Sequence, residues 1–353
     1  MACACSQEGC QEKTSQVVKG VHAKLRKKFR EADGDFKKIW AEHCHDEAGL
    51  GEYAYAMQHL AVDHWSTKHQ DDRIKWCYRT CMDYFKYGGM DKALAKDRRR
   101  QHHDFTNGIT EQKSLSQVEQ SNKYNTISLP VTGQLRLLDV GSCFNPFLEY
   151  KEFLSVGIDL SPAVETVYRC DFLNLQIQEP LQVAPDTVET YMRTLKNPVE
   201  RLPKESFHVV VFSLLLSYFP SPYQRWICCQ KAHELLQLNG LLLIVTPDSS
   251  HQNKHAKMVT SWKEGIEALG FKRCTYVKDT HLHYMAFRKV KLKQPRYTLD
   301  VGPDNLYIPQ DFSEESDESV FCDSFNASKF DNDDVSDTFN ELPGGDEEEW
   351  FLI

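Results

Sequence analysis

Beyond Leu135 the chain consists of short apolar runs separated by polar or amphipathic segments. The run at 207–216 is continuous, as expected for a central strand that is buried on both faces of a sheet. Amphipathic segments at 223–238 and 253–268 predict helices, and Asn239-Gly240 is expected to stop the first of them. A mostly helical connection at 175–202 is broken by prolines. This alternation predicts a parallel sheet with helices on both faces. The predicted strands of this part are 135–140, 154–159, 167–170, 207–216 and 241–245.

Two further apolar segments, 272–277 and 284–290, follow the last predicted helix and are joined by a short turn. They predict a terminal hairpin that adds an antiparallel edge strand to the sheet. Few doubly wound folds end in this way, whereas the class I methyltransferases do. The predicted fold is therefore α/β, with a doubly wound, Rossmann-like sheet of the class I methyltransferase type and a C-terminal β-hairpin.

The N-terminal part of the chain has helical periodicity instead. Val18, Val21, Leu25 and Phe29 recur at three- and four-residue spacing, and the opposite face of this helix is basic. That face is either a solvated helix surface, which we favour, or a docking surface for RNA or an acidic partner. Residues 35–87 are rich in aromatic side chains and lack proline, which predicts a small bundle of three or four helices.

These patterns divide the chain into five segments. We expect a disordered leader at 1–14, an N-terminal helical domain at 15–100, a mobile linker at 101–130, a ligand-binding Rossmann-like domain at 131–292 and a largely disordered acidic tail at 293–353. Residues 311–353 hold 15 acidic residues and one lysine. The body of the chain, residues 1–310, therefore has a net charge of +5, although the whole chain has −9. A body with that charge permits an RNA partner without arguing strongly for one.

The remaining composition narrows the class of protein. No apolar run is long enough to span a membrane, and no apolar signal segment follows the N-terminal methionine. The 12 cysteines are scattered without a regular framework, so we interpret them as reduced thiols of a cytoplasmic protein. His43, Cys44 and His45 are adjacent and point in different directions on a helix, so we predict no metal site.

The first two predicted strands carry the signature of a nucleotide site. The first ends in Asp-Val-Gly, and the second ends in an acid 18 residues after that glycine. Gly141 lets the backbone approach a ligand, and Asp159 can accept hydrogen bonds from two ribose hydroxyls. The loop lacks the G-x-G-x-x-G pattern that binds a pyrophosphate. A ligand with a ribose and no phosphate fits better, and S-adenosylmethionine is the expected one. The alternative is an ordinary buried strand and turn.

Four further residues are candidates for the same ligand, each with a structural alternative. Asp171 follows the third strand and could accept from the adenine amino group, with Phe172 beside the base, but Asp171 could equally cap a turn. Ser213 ends the fourth strand near the methionine part, or is only a small strand residue. Arg73 could pair bidentately with the ligand carboxylate, or form an ordinary surface salt bridge.

The residues after the fourth strand carry no recognisable catalytic motif. Methyl transfer to an exocyclic amine usually requires Asn or Asp followed by Pro-Pro and an aromatic residue, which align the amine for attack. Residues 213–220 read Ser-Leu-Leu-Leu-Ser-Tyr-Phe-Pro, and no obvious general base adjoins them, although His208 and Tyr218 are nearby. We therefore predict no catalytic residue and leave the question of enzymatic activity open.

Long contiguous stretches resemble the family of S-adenosylmethionine sensors that act upstream of the TOR kinase complex. The matching stretches are 137–147, 156–159, 170–175, 207–229 and 241–253, with His43-Cys44, His64-Trp65 and Arg73-Ile74 before them. The resemblance covers most of residues 15–312. It implies a class I methyltransferase fold behind a helical domain, with S-adenosylmethionine in the cleft between them. Gly141 and Asp159 match the family's ligand-binding glycine and acid.

The same resemblance implies a regulatory role. The ligand-free protein would associate with the GATOR and KICSTOR complexes and restrain TOR signalling, and S-adenosylmethionine would loosen that association. Recruitment to the lysosomal surface would occur through these partners. The family also resembles a fungal rRNA adenine methyltransferase family, so methyl transfer to rRNA adenine is the alternative function. A scaffold with a dead pocket is a third hypothesis, which the presence of Gly141 and Asp159 disfavours.

Overall fold

A seven-stranded sheet forms the centre of the protein. The computed structural model of the chain describes residues 7–65, 72–106, 133–181, 185–247, 252–279, 282–291 and 301–312. The strands are β1 (Leu135–Val140), β2 (Phe153–Asp159), β3 (Val167–Arg169), β4 (Gln176–Gln178), β5 (Arg201–Pro203), β6 (Phe207–Ser213), β7 (Leu236–Pro247), β8 (Phe271–Lys278) and β9 (Leu282–Lys289). The α-helices are α1 (Gln7–Glu31), α2 (Phe36–Cys44), α3 (Glu47–His59), α4 (Asp72–Phe85), α5 (Gly89–Thr106), α6 (Pro185–Arg193), α7 (Pro222–Leu235) and α8 (Gln252–Ala268). A π-helical turn spans Leu60–Trp65, and 3₁₀ turns span Pro146–Glu149, Leu216–Tyr218, Pro303–Leu306 and Pro309–Asp311.

The main sheet has the strand order β3-β2-β1-β6-β7-β9-β8. Its first five strands are mutually parallel, and β9 is antiparallel to both of its neighbours. The predicted parallel sheet and terminal hairpin are confirmed, but the prediction of an antiparallel edge strand is wrong. Because β9 is buried over most of its length, it lies between two strands, while the more exposed β8 takes the edge. β4 and β5 form a separate two-stranded parallel sheet.

Different helices cover the two faces of the main sheet. α7 and α8 pack on one face, through side chains that include Cys229 and Trp262. α4 packs on the other face, where Ile74 and Phe85 join the core formed by β1, β6 and β7. The connection between β1 and β2 holds only the 3₁₀ turn at Pro146–Glu149, so it supplies no crossover helix to that face. α4 covers that face, whereas Leu25 of α1 and Trp40 of α2 join the core on the α7 side.

The helix predicted at 223–238 ends earlier than expected. α7 stops at Leu235, and β7 begins at once and runs through Asn239 and Gly240. Asn239 has a φ of +66°, and the pairing of β6 with β7 shifts register next to it. A Cβ on Gly240 would lie 2.9 Å from the carbonyl oxygen of His208. These two residues mark a bulge inside a strand, where the sequence suggested a helix stop.

The ends of the predicted segments also differ from the structure. Residues 7–14, expected in a disordered leader, form the first turns of α1. α5 extends to Thr106, beyond the predicted end of the helical domain at residue 100, and the rest of the predicted linker lies outside the described residues. Residues 301–312, expected in the tail, are folded because Leu306 and Ile308 are buried in the core. The predicted acidic tail beyond residue 312 lies outside the described residues.

Part of the basic face of α1 holds the fold together. Lys24 forms an ion pair with Asp46 at 2.9 Å, and Lys28 forms one with Glu42 at 3.1 Å. Arg26 donates to the backbone carbonyl of Ser217 at 2.9 Å. These contacts attach α1 to α2, α3 and the loop after β6. No helix in the described part of the chain is both long and apolar enough to cross a membrane.

Candidate functional site

The loop after β1 begins with a glycine that no other residue replaces easily. Gly141 has a φ of +74°, a conformation that L-residues rarely adopt. A Cβ at this position would lie 2.9 Å from Cδ1 of Leu215, in the loop after β6. The backbone of Gly141 therefore approaches the neighbouring loop directly, at the edge of the sheet where the parallel strands end.

Short polar side chains fix the rest of this loop. Ser142 donates to the buried Asp139 carboxylate at 2.7 Å and accepts from the backbone N–H of Asn145 at 3.1 Å. Ser155 donates to the Asn145 amide oxygen at 2.7 Å. Gly157 is required beneath the loop, because a Cβ there would lie 2.7 Å from Ser142 Oγ. Sequence reasoning missed this support, although the polar residues after the Asp-Val-Gly sequence were its signal.

Asp159 ends β2 beside that loop. Its carboxylate accepts hydrogen bonds from the backbone N–H groups of Cys143 at 3.0 Å and Ser161 at 2.9 Å. Burial raises the pKa of Asp159 to about 6, and the surrounding backbone donors oppose that rise. Two N–H bonds leave acceptor positions on the carboxylate for hydroxyl groups of a ligand.

A cavity lies directly above these residues, between the sheet and the N-terminal helices. Its floor comes from the carboxyl ends of the strands and the segments that follow them, and includes Val140, Gly141, Ile158, Asp159, Phe172 and Ser213. Its roof comes from α1, α2 and α3, and includes His22, Trp40, Leu50, Tyr53, Ala54 and Met57. This is the position at which open α/β sheets bind ligands.

Four of the six predicted ligand-binding residues line the cavity, namely Gly141, Asp159, Phe172 and Ser213. Asp171 and Arg73 are not among the residues that line it. Arg73 lies on α4, and its neighbour Ile74 packs in the core between α4 and the sheet. The pairing of Arg73 with the ligand carboxylate therefore stays a prediction.

The carboxylate of Asp171 serves the fold. It accepts from Trp40 Nε1 at 3.0 Å, from the backbone N–H of Leu173 at 3.1 Å and from Asn174 Nδ2 at 2.7 Å. These bonds attach α2 to the sheet and close the turn after β3. The turn-capping alternative describes this residue, and the interaction predicted with adenine is not what its contacts favour.

A polar aromatic network that sequence reasoning missed joins the roof to the loop after β6. His22 Nε2 lies 3.2 Å from the hydroxyl of Tyr53, and His43 Nε2 is hydrogen-bonded to the hydroxyl of Tyr218. The Tyr218 ring centre lies 5.1 Å from that of His22 and 5.2 Å from that of Tyr53. Burial lowers the pKa of His22 to about 3 and that of His43 to about 4, so both imidazoles are neutral near pH 7. The density of aromatic residues before the sheet was the signal available in the sequence.

The loop after β6 forms one wall of the cavity and provides few groups that could orient or deprotonate a methyl acceptor. Residues Ser213, Leu214, Leu215, Ser217, Tyr218 and Phe219 contribute to it. No Asn or Gln side chain is found among the described residues that line the cavity. Burial raises the pKa of Tyr218 well above its ordinary value, which makes the phenol a poor proton donor and leaves it un-ionised near pH 7. Within the described residues, no group of three His, Cys, Asp or Glu side chains is arranged to hold a metal ion.

Two features define a class I methyltransferase fold. The antiparallel strand β9 is inserted between β7 and β8, and the cavity lies at the carboxyl ends of β1 and β2. Residues 185–302 match the family described as Bmt2, 25S rRNA (adenine(2142)-N(1))-methyltransferase. A solved structure of the N-methyltransferase NodS from Bradyrhizobium japonicum WM9 is 13% identical, covers 45% of this chain and 80% of NodS, and has a TM-score of 0.31. At that score the fold assignment rests on the strand order.

Relatives that match this chain over most of their own length identify its family. The chain is 54% identical over 351 residues to the S-adenosylmethionine sensor upstream of mTORC1 from Xenopus tropicalis, covering 96% of this chain and 86% of that protein. The protein of the same name from Danio rerio is also 54% identical, over 94% of this chain and 85% of its own length. The chain belongs to the family of S-adenosylmethionine sensors upstream of mTORC1.

Proposed function

We propose that this chain binds S-adenosylmethionine in the cavity and that binding regulates its association with the GATOR and KICSTOR complexes upstream of the TOR kinase complex. The observation that carries the proposal is that Gly141 and Asp159 line a cavity whose roof is made of separate helices. The ligand-free chain would associate with these complexes and restrain signalling when S-adenosylmethionine is low. Its place of action is the cytoplasm, with recruitment to the lysosomal surface through these partners.

The lining suggests how the ligand lies in the cavity. The ribose hydroxyls donate to Asp159, whose carboxylate keeps free acceptor positions. The methionine part follows Gly141 towards Ser213, and the adenine lies along Phe172. The sulfonium then faces the rings of Tyr53 and Tyr218, which attract a cation through their π faces.

Ligand binding and partner binding can be coupled through the roof. The described polar contacts that join roof to floor include Trp40 with Asp171, Arg26 with the Ser217 carbonyl, and His43 with Tyr218. A ligand held between the two layers adds contacts only when the roof is closed over the floor. It therefore shifts the population towards the closed arrangement, and a partner that prefers the open arrangement is released.

Methyl transfer to rRNA adenine is the second candidate function. The match of residues 185–302 to the Bmt2 family and the basic charge of residues 1–310 favour it. The segment 213–220 opposes it, because it lacks the motif of Asn or Asp followed by Pro-Pro and an aromatic residue that usually aligns an acceptor amine.

The test combines partner association with a turnover assay. Purified GATOR and KICSTOR complexes are immobilised, and retention of the full chain is measured with increasing S-adenosylmethionine. We expect saturable release of the wild type and a shift of the half-point to higher ligand concentration for Asp159→Asn. The same samples are incubated with methyl-labelled S-adenosylmethionine and rRNA. Ligand-independent retention, or stoichiometric label in the RNA, would overturn the sensor assignment.

A further inference from the structure

Residues 301–312, here called the strap, pack across α7 and α8. Leu306 is fully buried and Ile308 nearly so, in the core on the α7 side of the sheet. Trp262 Nε1 donates to the carbonyl of Tyr307 at 2.6 Å, and Ser261 donates to the carbonyl of Asn305 at 2.9 Å. The strap is thus built into the fold by both apolar burial and hydrogen bonds.

One guanidinium joins the strap to the ligand cavity. Arg225 on α7 is completely buried, and its Nη1 donates to the Leu306 carbonyl at 2.6 Å and to Asp311 Oδ2 at 2.7 Å. Its Nη2 donates to Asp311 Oδ1 at 2.7 Å and to the carbonyl of Phe219 at 2.9 Å. The same side chain therefore contacts both the strap and a residue that lines the cavity.

The segment that Arg225 holds is a wall of the cavity. Ser217, Tyr218 and Phe219 all line it, and the Phe219 ring centre lies 5.3 Å from that of Trp40 in the roof. Arg26 holds the same segment from α1, through the carbonyl of Ser217. Two arginines therefore hold this wall through its backbone carbonyls, Arg26 from the roof and Arg225 from the side of the strap.

The position of Arg225 depends on Asp311. A buried guanidinium is costly unless a carboxylate pairs with it, and a bidentate pair also fixes the orientation of the guanidinium plane. Asp311 is itself fixed, since its carboxylate accepts from the backbone N–H of Ile308 at 2.9 Å. Loss of the carboxylate leaves Arg225 without its charge partner and frees it to turn away from the Phe219 carbonyl.

We propose that Asp311 and Arg225 are positioning residues of the ligand cavity, so that this ion pair, rather than the strap as a whole, is part of the ligand-binding machinery. The proposal rests on the proposed binding of S-adenosylmethionine in the cavity. Because coupling between two sites is reciprocal, ligand binding also tightens the strap, immediately before the acidic C-terminal residues of the chain.

The test is calorimetric titration of the full chain and three variants with S-adenosylmethionine. We expect Asp311→Asn to weaken binding about tenfold. Asp304→Asn, on an exposed strap position, is the charge control and retains the wild-type dissociation constant. Trp262→Phe removes the hydrogen bond to Tyr307 without touching Arg225, so it is the stability control and also retains wild-type affinity. Should Asp311→Asn fail to fold, Asp311→Glu keeps the charge, displaces it by one methylene and weakens binding to a lesser extent.

A second readout follows the reverse direction of the coupling. Hydrogen exchange of the Ile308 amide, which donates to Asp311, slows in the wild type when ligand is added and does not slow in Asp311→Asn. Unchanged affinity in Asp311→Asn overturns the inference and leaves the proposed function intact. Equal weakening in Asp311→Asn and Trp262→Phe, in proportion to lost stability, also overturns it. Absence of binding by the wild type overturns the proposed function, and the inference falls with it.

Discussion

Replacement of Asp159 by Asn separates ligand binding from folding. The substitution preserves the shape of the side chain and one acceptor oxygen, but it removes the charge that Cys143 and Ser161 solvate through their backbone N–H groups. If Asp159 holds the ribose hydroxyls, the affinity for S-adenosylmethionine falls. If Asp159 is only a structural residue, the affinity is preserved and the stability of the fold changes instead.

The size of the effect follows from the acceptor positions of the carboxylate. An ionised carboxylate offers about four of them, and the backbone donors leave room for both ribose hydroxyls. Asn offers one acceptor oxygen and no charge, so charge-assisted hydrogen bonds to the ribose are lost. We expect a loss of about 1.5–3 kcal/mol, which raises the dissociation constant by about 10- to 150-fold.

The stability of the ligand-free fold should not fall together with the affinity of Asp159→Asn. The pKa of Asp159 is raised from 3.8 to about 6 in the folded chain, so the ligand-free fold loses stability as the pH rises from about 4 to about 6. The ionised group therefore destabilises the ligand-free fold near pH 7 by about 2–3 kcal/mol. Asn carries no charge, so the melting temperature of Asp159→Asn at pH 7.5 should be no lower than that of the wild type.

The pH dependence supplies an internal check on the same residue. Ribose hydroxyls bind the ionised carboxylate, so wild-type affinity should fall as the pH drops below about 6, and the variant should lose this dependence. Calorimetric titrations at several pH values between about 5 and 8 measure it. Asp171→Asn is the matched control, since its amide oxygen still accepts from Trp40, and we expect its dissociation constant within about threefold of the wild type. Wild-type affinity in Asp159→Asn would show that this carboxylate does not hold the ligand.

Three other perturbations test the account. Gly141→Ala places a Cβ at positive φ against Leu215, so it should destabilise the fold by about 1–2 kcal/mol and weaken ligand binding. Wild-type stability together with wild-type affinity would exclude the close approach of the Gly141 backbone to Leu215. The buried neutral imidazoles of His22 and His43 have lowered pKa values, so they stabilise the fold above pH 6.5, and this contribution is lost as the pH falls towards about 4. Unfolding of wild type and a His22→Phe variant across this range measures it, and identical pH profiles would contradict it. Deletion of residues 313–353, which leaves the strap in place, should preserve the dissociation constant for S-adenosylmethionine; a large loss would show that this segment contributes to the site.

The sequence predicted the sheet well because buried strands are nearly continuous apolar runs. β1 and β6 are buried at almost every position, and both were found from residues 135–140 and 207–216. The position of β9 was wrong because periodicity identifies a strand without identifying its neighbours. Asn239-Gly240 was misinterpreted because the same pair ends helices and forms bulges, and only the pairing with β6 distinguishes them.

Residues of the cavity lining were predicted where their relation in space follows from their spacing in sequence. Contacts between residues far apart in sequence were missed. Gly141 and Asp159 lie on consecutive strands, so their spacing in sequence carries their relation in space. Asp171 also follows a strand, but its carboxylate contacts Trp40, which is 131 residues away in the chain. The link from Asp311 through Arg225 to the cavity has the same character, with 86 residues between the two side chains. No periodicity in the sequence encodes such contacts.

Binding of the ligand in the cavity is tested by calorimetric titration of the purified full chain with S-adenosylmethionine, and in parallel with S-adenosylhomocysteine. We expect saturable binding of S-adenosylmethionine at one site, with weaker binding of S-adenosylhomocysteine because it lacks the charge that the Tyr53 and Tyr218 rings attract. Measurements at two temperatures guard against a binding enthalpy near zero. No heat with either ligand at either temperature, from a folded sample, would contradict the account and leave only a scaffold with a dead pocket.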